Sequence, residues 1–136
     1  VKTTIMIDLT GLKDGGTAGD IIGKDGSGVA FIGKVTTANQ GTVFGVTMTC
    51  VETPAGGSTD IDLFSATEGT GVNDTAIGDL TETQIINAGA ASAGTVVAGG
   101  DIAADQFLYL VSQGTGDATY TAGRFLIEIT GFDAAS

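Results

Sequence analysis

Apolar residues in this chain recur at every second position, in short runs cut off by clusters of Gly, Asp, Asn and Ser. That period suits a pleated strand with one face toward a core, not a helix, whose apolar stripe returns every three to four residues. Ile5, Ile7 and Leu9 alternate with Thr4, Met6 and Asp8 and open the chain as a strand. A Gly- and Asp-rich stretch follows, broken by the pair Ile21-Ile22, which reads as a short edge strand. Residues 29–37 and 42–52 read as two further strands. Asn39-Gln40-Gly41 between them tolerates positive φ, so the pair is expected to form a hairpin. In the second strand Phe44, Val46, Met48 and Cys50 are expected on one face, with Cys50 a buried, inert thiol.

Beyond Pro54, the only proline, Asp60 to Phe64 forms a short strand pattern, and residues 68–80 read as a loop with at most one helical turn. Residues 81–87, 95–98, 107–112 and 124–132 complete the set of strands. Nothing has helical periodicity with caps. The pattern predicts an all-β chain: a single-domain antiparallel β-sandwich over residues 1–136, with Greek-key or jelly-roll crossings. Its ends, residues 1–9 and 133–136, are candidate extended arms that could join a neighbour's sheet edge.

Composition narrows the function. The chain has no His and one Cys, so Ser-His-Asp and Cys-His nucleophile pairs, His-containing zinc sites and thiolate clusters have no residues to form from. The Gly-rich segments 23–28 and 114–116 lack phosphate-loop spacing and a following helix. Paired carboxylates of the glycosidase kind need an aromatic-lined cleft, and Trp is absent. The expectation is a non-catalytic protein without a cofactor. One cation site is conceivable: Glu52, Asp60 and Asp62 bracket one turn and offer the hard oxygens calcium takes.

Sixteen acidic residues against five basic ones give a net charge of −11, which disfavours nucleic acid and anionic membranes as partners. A lone cysteine fits synthesis in the cytoplasm. Candidate interface residues are Val1, Lys2 and Ile5 on the N-terminal arm, together with Phe64 and Tyr120, which are equally readable as anchors for a partner or as core.

Three phrases carry a likeness: Asp8-Leu9-Thr10-Gly11-Leu12-Lys13-Asp14-Gly15-Gly16, Met48 to Gly57 before Asp60-Ile61-Asp62-Leu63, and the closing Gly123-Arg124-Phe125-Leu126-Ile127-Glu128-Ile129. Through them the chain resembles small structural proteins of marine tailed phages, of the capsid decoration or cement kind. The resemblance implies a β-sandwich on the outer capsid surface of a virion. It would bind the major capsid protein lattice as a homo-oligomer and stabilise the shell. A head-fibre, tail or receptor-binding module is the alternative, and a calcium- or glycan-binding surface module a further one.

Overall fold

The computed structural model describes residues 1–133; the end of the expected C-terminal arm, residues 134–136, lies outside them. The described residues form nine strands: β1 (Lys2–Asp8), β2 (Asp20–Ile21), β3 (Gly33–Val35), β4 (Thr42–Ala55), β5 (Ile61–Ala66), β6 (Glu82–Ile86), β7 (Val96–Gly99), β8 (Gln106–Ser112) and β9 (Ala122–Phe132). They build two sheets with antiparallel pairing throughout. One runs β1-β9-β4-β7. The other runs β2-β8-β5-β6, with β3 also on β8, further along its edge. The predicted all-β sandwich is the observed fold.

The core between the sheets is built from the inward phase of each strand. Val46, Met48 and Cys50 of β4 and Phe125, Ile127 and Ile129 of β9 meet Ile61 and Leu63 of β5 and Leu108 and Leu110 of β8. A second apolar layer lies on the far face of the β2-β8-β5-β6 sheet, where Phe64, Ala66, Tyr109 and Val111 pack with Ile21 and Ile77 beneath residues 67–81. Tyr109 pins that segment: its hydroxyl donates to the Glu68 carbonyl at 2.8 Å and accepts from Gly71 N–H at 3.1 Å. This sheet is therefore covered on both faces, and all six residues of β5 are buried.

Three expectations change. The hairpin does not form. Residues Thr37–Gln40 make a one-turn helix, α1, and β3 pairs with β8 while β4 joins the other sheet. Thr36 caps the helix reciprocally: its Oγ1 accepts from Asn39 N–H, and its own N–H donates to Gln40 Oε1. Phe44 leaves the inward face. A register shift between Val43 and Gly45 puts Val43 in the core and turns Phe44 to solvent. The N-terminal arm is a strand of the chain's own sheet. Residues 2–8 pair with β9 without a register shift, because Ile5 and Ile7 pack on the core.

Candidate functional site

Only one sheet face lacks a covering layer among the described residues: the outer face of β1-β9-β4-β7. Cross-strand register fixes what stands on it. Met6, Leu126, Thr49 and Val96 form one row across all four strands. Thr4, Glu128, Thr47 and Ala98 form the next, then Lys2, Thr130 and Gly45. Met6 is 54% exposed and Val96 60%. At one end Phe44 (58%) and Phe132 (50%) stand with ring centroids 6.1 Å apart. Between Lys2, Phe44 and Glu128, over Gly45 and Ala98, the face dips into a shallow depression of about 380 Å³.

Charges here pair off. Lys2 Nζ meets Glu128 Oε2, and Arg124 Nε lies 3.7 Å from Asp8 Oδ2. The Asp8 carboxyl is held below its usual range, chiefly by the Thr10 N–H and hydroxyl and less by Arg124. Exposed pairs of this kind add little stability, but they leave the face close to neutral on a chain of net charge −11. Large exposed apolar side chains grouped on a neutral face are the usual mark of a surface that meets another protein.

The sequence-predicted interface residues divide. Val1 and Lys2 are exposed at the start of β1, and the Val1 amine donates to the Gly131 carbonyl. Ile5 points inward. Phe64 and Tyr120 are core rather than exposed anchors. Phe64 lies under residues 67–81, and the Tyr120 hydroxyl donates to the Ser58 carbonyl at 2.6 Å, its phenol pushed up by burial and by the nearby Asp14 charge. Sequence reasoning missed Met6, Leu126, Val96, Phe44 and Phe132. A signal existed for the first two, since each is an apolar residue in the polar phase of its strand (Thr4-Met6-Asp8 and Arg124-Leu126-Glu128).

The carboxylates expected to hold calcium do not form one group. Glu52 belongs to the β4 sheet and accepts the Gly123 N–H at Oε1, whereas Asp60 and Asp62 lie at β5 in the other sheet. Asp62 is saturated by Gln84 Nε2, Gln113 Nε2 and Ala88 N–H. Among the described residues no three His, Cys, Asp or Glu side chains converge as a metal set. Cys50 is buried; its thiol donates to the Glu52 carbonyl and is pushed up by burial.

Asp60 is the exception in polar satisfaction, because its buried Oδ1 has no partner among the described residues. Burial, and then the Asp62 charge, push its carboxyl above the ordinary 3.8. A raised folded pKa favours folding while the group is protonated, below its unfolded value. The charged form then loses stability as pH rises through the folded value. Asp60→Asn is therefore expected to stabilise the protein by about 1 kcal/mol at about pH 7 and not at about pH 3. Thermal melts at the two pH values check this; an equal gain at both would assign the effect to the new amide and not to the lost charge.

No protein-family model, curated protein or solved structure matches the chain. Among the described residues no helix is long and apolar enough to cross a membrane.

Proposed function

We propose that the chain is a capsid decoration protein. It lays the bare face of its four-stranded sheet on the outer surface of a major capsid protein lattice and turns its acidic remainder outward. The observation that carries this reading is the contrast between that near-neutral, apolar-studded sheet face and the net charge of −11 on the chain as a whole. An acidic protein is repelled by packaged nucleic acid and suits the shell's exterior. A flat sheet face making modest contacts is retained well when many copies share one lattice and each bridges adjacent subunits. The role needs no catalytic group, in line with a chain that has no His.

The test uses shells stripped of this protein. Val96 and Phe44 stand on the face and outside the core. The double variant Val96→Asp, Phe44→Asp is expected to keep its melting temperature within a few degrees. It should bind shells about 100-fold more weakly, as expected from losing about 3 kcal/mol of apolar contact. Binding equal to the native chain would rule out this face, and failure of the native chain to bind shells would rule out the role.

A further inference from the structure

The two sides of the sandwich are finished differently. On one side β7 closes against β6, so tightly that a Cβ on Gly99 would fall 2.5 Å from the Ile85 carbonyl oxygen. On the other side β1 ends its sheet with a seven-residue strand whose outer edge is free among the described residues. Which backbone groups line that edge follows from the register. Val1 and Gly131 exchange both of their hydrogen bonds, and Leu9 N–H donates to the Gly123 carbonyl. Odd-numbered residues therefore bond to β9, and the N–H and C=O groups of Lys2, Thr4, Met6 and Asp8 point away from it.

Strand edges of this length are normally blunted by proline, bulges, inward charges or edge lysines. β1 has only the last of these, Lys2 at its first position, already paired with Glu128. It pairs without a register shift, its charges stand on the outer face, and its inward residues are Thr3, Ile5 and Ile7. Beside the edge, between β1 and residues 29–32, runs an apolar cleft of about 300 Å³ lined by Ile7, Leu12, Ile22 and the exposed side chains of Met6, Val29 and Phe31.

We propose that β1 pairs antiparallel with β1 of a second copy about a two-fold axis at Ile5, joining two four-stranded sheets into one. The strand's own sequence selects this partner. With Ile5 opposite Ile5, Lys2 faces Asp8 of the other copy and Thr4 faces Met6, so the outward backbone groups of all four even residues are matched. On the outer face the charges then alternate across the junction: Arg124, Asp8, Lys2 of the second copy, Glu128 of the second copy. A slip of one residue puts side chains on the wrong faces. A slip of two removes the Lys2–Asp8 match. Val1 and Thr3 of the second copy come opposite Leu9 and Ile7, along the apolar cleft. The pairing forms in free solution and stands apart from any contact with a capsid.

Light scattering through a concentration series is expected to reach twice the chain mass of 13.4 kDa. Ile5→Cys should form a covalent dimer on oxidation, because directly opposed residues of a non-bonded pair lie about 4.5 Å apart at Cα, within disulfide reach. Thr3→Cys should not, since the two copies of Thr3 are about 13 Å apart. Thr4→Pro removes an N–H that faces away from β9 and is tolerable at an edge. It should abolish the dimer while the melting temperature stays within a few degrees. A native chain that remains monomeric throughout, or a Thr4→Pro dimer of native affinity, would overturn the proposal even if Ile5→Cys failed to fold.

Discussion

Asp62→Ala is expected to destabilise the protein by about 3–5 kcal/mol, a large share of the total for a domain of this size. Asp62 is almost fully buried on β5, and both carboxylate oxygens are engaged. Oδ2 accepts from Gln84 Nε2 at 3.1 Å and Gln113 Nε2 at 2.9 Å, and Oδ1 accepts from Ala88 N–H at 3.1 Å. One side chain thus ties β5 to β6, to the turn that leaves β8, and to the segment leading toward β7. Alanine removes the acceptor and leaves three donors to find others, one of them a backbone N–H that cannot rotate away. Asp62→Asn should lose about 1–2 kcal/mol. Its remaining oxygen can serve one donor, and Gln84 and Gln113 can turn their amides to present oxygen to the new NH₂ group. Urea denaturation of the three proteins gives the order. An alanine variant within about 1 kcal/mol of native would show that water replaces the carboxylate without loss.

The neighbouring acid behaves oppositely. Among the described residues Asp60 has an unpartnered oxygen, and its pKa is raised, where Asp62 has a full set of donors. Two residues apart in sequence, they differ because Gln84 and Gln113 come from distant segments. That difference marks the boundary of what was legible in the chain. Alternation is a local property, so β1, β6, β7, β8 and β9 are readable to within a residue or two from patterns such as Ile5-Ile7-Leu9 and Phe125-Ile127-Ile129. Partner choice is non-local. Residues 29–37 and 42–52 look like hairpin arms, yet Thr36 and Gln40 close a helical turn between them and send β3 and β4 to different sheets. Burial of a strand's second face is non-local too. Phe64 sits out of phase with Leu63 because residues 67–81 fold over it, which nothing within β5 announces. The bare sheet face was half visible, in the out-of-phase apolar residues Met6 and Leu126. Phe44 was hidden by a bulge that only the pairing with β9 reveals.

Gly131→Ala is expected to be the more damaging of two glycine substitutions made on adjacent strands, by about 4 kcal/mol or more. A Cβ at Gly131 would lie 1.9 Å from the Gln40 carbonyl oxygen and 3.2 Å from that of Thr42. Both obstacles are backbone, so no rotamer change relieves them, and α1 has to lift from the end of β9. Gly41 shows the same approach from the other side. Its φ is 67°, and a Cβ there would meet the Phe132 carbonyl oxygen at 2.4 Å. Gly45→Ala is the counterpart. That residue has nothing within 4 Å of the added carbon and no positive φ, so the change should be neutral or stabilising by up to about 1 kcal/mol. For a chain of this length the first substitution corresponds to a melting temperature lower by roughly 10–20 °C. Its consequence reaches the bare sheet face, because the seat of α1 on β9 sets where β4 begins and so holds the bulge that turns Phe44 toward Phe132. Any folded Gly131→Ala protein should therefore show altered ring signals from those two residues by NMR, whereas Gly45→Ala should leave them near their native positions. Equal melting temperatures for the two variants would show that α1 does not press on β9 as described.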